Sequence, residues 1–112
     1  MANYKDGKIK DGRSQGTGKT LGNIKNGVVK DGGSVGVGRT LGNYKDGKIK
    51  DGGSVGVGRT LFNVKNGVVK DGGSVGVGRT IGKVSEFTIP GMERESDEAI
   101  VAAWHFLIKK IV

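Results

Sequence analysis

The residue types that could do chemistry in this chain all recur at a fixed interval. Gly33-Ser34-Val35-Gly36-Val37-Gly38-Arg39-Thr40 satisfies Gly-x4-Gly-Arg-Thr, an arginine version of the loop that cradles nucleotide phosphates, and it returns at 53–60 and 73–80. An earlier copy has Gly18-Lys19-Thr20 but places Arg13 where the leading glycine belongs. Nucleotide binding by such a loop needs a buried strand before it and a helix after it, so that amides and helix dipole converge on the phosphates. Here Leu41-Gly42-Asn43 and another glycine turn follow instead. Gly36-x-Gly38-x-x-x-Gly42 also misses the dinucleotide fingerprint in spacing and context. The motif reads as a glycine-rich turn whose amides could hold a stray phosphate without specificity.

Three further sets are candidates. Asp11, Asp31, Asp51 and Asp71 could in principle ring an axis and hold a cation, but their Asp-Gly context suits turn residues bonding their own backbone. Lys25, Lys45 and Lys65, with Arg39, Arg59 and Arg79, would form basic rows able to attract a polyanion or nucleic acid if the copies pack side by side. The plainer role for these charges is a solvated face that keeps a glycine-rich β protein soluble. His105 is the only histidine and sits in an apolar stretch with no Ser or Asp placed to partner it, so it reads as a packed or interface residue. Neither a catalytic set nor a metal or cofactor site is expected. Tyr4, Tyr44 and Phe62 do not make a stacking row for single-stranded nucleic acid.

The elements that must position these residues come from a 20-residue unit repeated four times, at 3–22, 23–42, 43–62 and 63–82. A residue that appears four times serves the geometry of the unit, whereas a catalytic residue is normally singular. A second order of repetition lies above the first: 3–42 matches 43–82 at 33 of 40 positions. Each copy carries Asp-Gly or Asn-Gly between short runs rich in β-branched residues alternating with Lys, as in Lys25-Asn26-Gly27-Val28. Those dipeptides suit a type I′ turn and predict a tight hairpin, for example 22–25 paired with 28–31. The segment Asp31–Gly38 holds too many glycines for a long strand and predicts a wide bend, followed by a short strand from Arg39.

Hairpins of this size cannot each bury a face alone, so they must pack together. The expected fold is mainly β, with four hairpin repeats in a pseudo-fourfold closed or flower-like antiparallel assembly. The alternative is a four-coil β-solenoid, which two-residue turns disfavour because solenoid coils pair in parallel. Ile9-Lys10-Asp11-Gly12, Val29-Lys30-Asp31-Gly32 and Gly38-Arg39-Thr40-Leu41-Gly42, with their equivalents, resemble the tandem units of bacterial β-flower repeat proteins of unknown function. The resemblance covers roughly 3–82, implies the flower-like fold and brings no activity. Phe62 interrupts the glycine series Gly22, Gly42 and Gly82, so strict fourfold equivalence is not expected there.

After the repeats the pattern dissolves at Ser85-Glu86-Phe87, and 83–95 reads as a linker with a turn at Pro90-Gly91. A helix is expected over 96–111, with Ser96 as N-cap and Lys109 and Lys110 in its last turn. Its stripe Ile100, Ala103, Trp104, Leu107, Ile108 and Ile111, widened by neighbouring apolar residues, is that of a buried helix. It should pack on the β domain or against the same helix of another subunit.

Composition limits the remaining classes. Of 112 residues, 23 are glycine and large apolar side chains are few, which stabilises a compact monomer only weakly. A homo-oligomer is therefore expected. The net charge of +8 divides into +9 over 3–82 (15 Lys/Arg less 6 Asp) and −1 over 83–112 (4 Lys/Arg less 5 Asp/Glu). There is no cysteine, no apolar leader and no run of the ~20 apolar residues a membrane span needs, which predicts a cytoplasmic protein. The function expected is a non-enzymatic, self-associating structural or interaction module, with polyanion or nucleic-acid binding as the alternative.

Overall fold

The computed structural model describes residues 2–111. Asp6, Asn26, Asp46 and Asn66 have φ of 50–52° and the glycines after them φ of 76–85°, the pair of left-handed residues that a type I′ turn requires. Each turn closes a hairpin: β1 (Asn3–Lys5) with β2 (Lys8–Asp11), β3 (Lys19–Lys25) with β4 (Val28–Lys30), β5 (Thr40–Lys45) with β6 (Lys48–Lys50), and β7 (Thr60–Lys65) with β8 (Val68–Lys70). In the second copy Asn23 faces Lys30 and Ile24 faces Val29, as the turn chemistry predicts.

Successive hairpins join into one nine-stranded antiparallel sheet in sequence order, ending with β9 (Thr80–Lys83). A register shift recurs after Ile9, Val29, Ile49 and Val69, where each hairpin meets the next copy. Such bulges add twist and curve the sheet. Antiparallel pairing throughout excludes the solenoid. The sheet is also open, which corrects the expectation of a closed assembly. The reason lies just past β9. Val84–Phe87 coils into a 3-10 turn, and Pro90 has no N–H to offer a ladder. Among the described residues one backbone bond reaches the first edge, from Tyr4 N–H to the Pro90 carbonyl at 2.8 Å.

The inward face carries Ile9, Val29, Ile49 and Val69, all fully buried, at 20-residue steps. The series continues one step further, to the fully buried Ile89. Val84 likewise continues the series of Ile24 and Val64: its N–H donates to Gly67 O as Ile24, Tyr44 and Val64 donate to Gly7, Gly27 and Gly47. The stretch expected as a linker is thus packed. It keeps the inward residues of a fifth copy while its turn residues have changed.

Ser96 caps helix α1 (Asp97–Ala103), accepting from Ala99 N–H at 3.2 Å, and Ala99–Ala103 are all buried. The coil then widens to a π turn over Trp104–Ile108, closed by Lys109 N–H to Trp104 O at 3.0 Å. Helical structure ends at Ile108, so Lys109 and Lys110 lie beyond it and not in its last turn.

One position in each copy explains how this segment docks. A Cβ on Gly22 would fall 2.5 Å from Leu107, one on Gly42 2.1 Å from Phe106, and one on Gly82 3.3 Å from Phe87. Phe62, the exception, is fully buried with its ring 5.1 Å from that of His105. Three copies therefore make room for a large side chain of the C-terminal segment, and the third supplies the large side chain itself. The break in the repeat is a packing requirement.

Candidate anion-binding surface

The wide bend of each copy is organised by a buried asparagine. Asn23 donates through Nδ2 to Gly32 O and Val37 O, both at 3.1 Å, and accepts from Gly36 N–H at 3.0 Å. Asn3, Asn43 and Asn63 make the same three bonds in their copies. One side chain so satisfies three main-chain groups that a glycine-rich loop cannot pair by itself. Sequence reasoning missed this role. The available signal was a polar residue recurring within a strand, where Asn is otherwise disfavoured.

The loop ends are tied by the aspartates. Asp31, Asp51 and Asp71 accept from the N–H of Arg39, Arg59 and Arg79 at 2.7–2.8 Å. They therefore bond backbone across the loop, eight residues on, and no group of three or more acidic or histidine side chains among the described residues converges on a metal-sized site. The phosphate-loop motif lies in this same bend and leads into β5 at Thr40, with no helix after it.

On this frame the lysines pair. Lys30 Nζ donates to Gly36 O at 3.3 Å, while the stem of Lys25 lies over Gly36 from the other side, 3.6 Å from where a Cβ would stand. Lys10, Lys50 and Lys70 make the same bond to Gly16, Gly56 and Gly76 at 3.3–3.5 Å, and Lys5, Lys45 and Lys65 cover those glycines in turn. Clefts of 250, 280 and 410 Å³ open between the pairs Lys5/Lys10, Lys25/Lys30 and Lys65/Lys70. The predicted Lys25, Lys45 and Lys65 thus belong to a set of eight lysines. Their partners Lys10, Lys30, Lys50 and Lys70 recur at the same interval and were legible as a row, though not as the other wall of a cleft.

The predicted arginines divide. Arg39 and Arg79 lie 3.8 and 3.9 Å from the carboxylates of Asp31 and Asp71, at exposed positions where such pairs are weak. Arg59 instead borders a separate cleft beside the C-terminal segment.

Asp6 lines the Lys5/Lys10 cleft, but several other acidic groups are spent on the protein's own backbone and on a tyrosine. Glu86 accepts from Lys83 N–H, Glu93 from Gly91 N–H and Glu98 from Gly47 N–H. Tyr4 Oη donates to Glu95 Oε2 at 2.8 Å. Burial, then the bond to Glu95 and its charge, push the Tyr4 hydroxyl up to about 12. Burial and the charges of Glu95 and Glu98 take Tyr44 to about 12 as well.

His105 is buried between Phe62 and Phe106, and its Nδ1 accepts the Ile111 N–H at 2.9 Å. Burial, and secondarily the charge of Lys110, hold it below the ordinary histidine range. Its Nδ1 thus serves the chain's own backbone as an acceptor. Of the predicted helix residues, Ile100 is buried and Trp104, Leu107, Ile108 and Ile111 pack against the same core. Those four are partly buried there and keep some exposed surface. Among the described residues no helix is long and apolar enough to cross a membrane.

No family model matches the chain, and neither a curated protein nor a solved structure matches it.

Proposed function

We propose that this protein is a non-enzymatic β-repeat module that binds a polyanion along its paired lysines. The observation that carries this reading is that the lysine pairs of the first, second and fourth copies flank clefts, while Asp31, Asp51, Asp71, Glu86, Glu93, Glu95 and Glu98 bond main-chain amides or a tyrosine. Two strands separate equivalent clefts, so neighbouring clefts are spaced by about 10 Å around the curved sheet. An extended, flexible polyanion could engage several at once, and no aromatic side chain lines them to read bases. Recognition would rest on backbone charge. In this reading the four hairpins are the petals of a flower-like assembly, in keeping with the resemblance to β-flower proteins, and 83–91 stands in the fifth place.

Self-association is a second reading, supported by one feature. Val37, Val57 and Val77 are 54–56% exposed at the outer bends, a repeated apolar position that a partner copy could cover.

The test is binding of a labelled single-stranded oligonucleotide, with heparin as competitor, at about 50 and 200 mM salt. Eight lysines acting together would lower the affinity roughly a thousandfold over that range. Absence of binding at the lower salt would leave the lysines as a solubility coat.

A further inference from the structure

A cleft of 560 Å³ beside the C-terminal segment does not follow the repeat. Leu41, Leu61 and Phe106 give it apolar walls between the sheet and the π turn, and Arg59, Lys109 and Lys110 stand at its border. Its volume falls within the ordinary range of small-molecule sites. Two departures from the repeat coincide here. Arg39 and Arg79 each face an aspartate carboxylate, whereas among the described residues no carboxylate lies within ion-pair distance of the Arg59 side chain. The stretch Lys109–Ile111 is also pinned on this side. Lys109 N–H is held by Trp104 O and Ile111 N–H by His105 Nδ1, which sets Lys109 and Lys110 beside the opening. Among the described residues Asp51 is the one acid in the lining, and its carboxylate already accepts the Arg59 N–H at 2.8 Å. The described lining residues thus carry three cations against one anion over an apolar floor.

We propose that this cleft binds a single-chain amphipathic anion, its alkyl chain on Leu41, Leu61 and Phe106 and its carboxylate or other small acidic head at Arg59, Lys109 and Lys110. A neutral apolar ligand would leave the cations without a partner, and a small inorganic anion would leave the apolar walls wet. Only a ligand with both parts answers the whole lining. This site is independent of the paired lysines, and its failure would leave the polyanion reading untouched.

The test is calorimetric titration of the intact protein with octanoate, decanoate and dodecanoate, each below its aggregation concentration. The expected result is affinity rising about five- to tenfold per two added methylenes, given partial burial of the chain. Decanol should bind at least about tenfold more weakly than decanoate, the loss of one charge-assisted contact. Arg59→Gln should weaken decanoate about tenfold and leave decanol unchanged; Arg39→Gln, at the equivalent repeat position, should change neither. Both arginines are exposed, so the variants should fold, and their thermal midpoints check this. Equal binding of decanoate and decanol would overturn the proposal. So would equal losses from Arg59→Gln and Arg39→Gln, which would mean diffuse charge attraction, and so would inorganic phosphate binding as tightly as decanoate.

Discussion

Replacing Phe62 with glycine would make the third copy more like the other three, and consensus substitutions ordinarily stabilise by about 0.5–2 kcal/mol. The packing here predicts the opposite. Phe62 is fully buried, and its ring lies 5.1 Å from His105 at a 58° tilt. Removing a buried phenylalanine down to Cβ typically costs about 3–5 kcal/mol. Glycine in a strand adds about 0.5–1 kcal/mol of backbone entropy. The expected loss is therefore about 4–6 kcal/mol, a large part of the 5–15 kcal/mol typical of a whole domain. It should be read by urea unfolding, followed by circular dichroism and by the fluorescence of Trp104, the chain's only tryptophan, which packs edge-on to Phe87. The partner experiment is Gly42→Ala. Its Cβ would fall 2.1 Å from Phe106 Cζ and 2.7 Å from Lys50 O, so this substitution should also destabilise, by about 1–3 kcal/mol. A Phe62→Gly variant as stable as the parent would refute the claim that this position is matched to the C-terminal segment copy by copy.

Asn43→Ala removes three bonds of 2.9–3.0 Å to main-chain groups and should lower unfolding free energy by about 2–4 kcal/mol, with Asn23→Ala and Asn63→Ala close behind. A loss below about 1 kcal/mol in urea unfolding would remove the asparagines from the account. His105 has a folded-state pKa below its unfolded value of about 6.5, so the unfolded chain takes up the proton first. Its contribution is full above that pH and falls as the pH drops below it; His105→Gln, which keeps an acceptor but cannot titrate there, should flatten this part of the stability profile. The charged groups facing it are Lys110 and, in the adjoining cleft, Asp51, Arg59 and Lys109. Deleting 92–112 strips the cover from Phe62 and takes Met92 and Ala99–Ala103 out of the core, so size-exclusion chromatography should show aggregate. A monomeric truncation that unfolds cooperatively would contradict the packing described.

What could be foreseen from the chain was local. Asp-Gly and Asn-Gly dictate their own turn, and Ser96 with Asp97 and Glu98 dictates a helix start, whatever surrounds them. The rest depended on partners distant in sequence. The bonds of Asn23 go to groups 9–14 residues away, so its type alone suggests only a poor strand residue. Ile89 and Val84 keep the repeat's inward positions, but the glycine turns that make a copy recognisable are gone, and the stretch reads as linker. Pro90 was visible as a turn residue; that it also denies the sheet a closing strand emerges only once the edges are placed. The rows Lys25/45/65 and Lys10/30/50/70 were both in the text of the chain. The hairpin places Lys25 and Lys30 two ladder positions apart, and the bend brings Gly36 between them.

The central claim is that lysine pairs, and not the arginine row, form the anion surface. The most direct measurement is the salt dependence of oligonucleotide affinity for the Lys25→Gln/Lys30→Gln variant against Arg39→Gln/Arg79→Gln. Losing two phosphate contacts should reduce the slope of log affinity on log salt by about 1.4–1.8 for the lysine variant. The arginine variant, whose charges already face Asp31 and Asp71, should keep the parent slope. Equal reductions in both would contradict the account, because they would show a surface read only by its net charge.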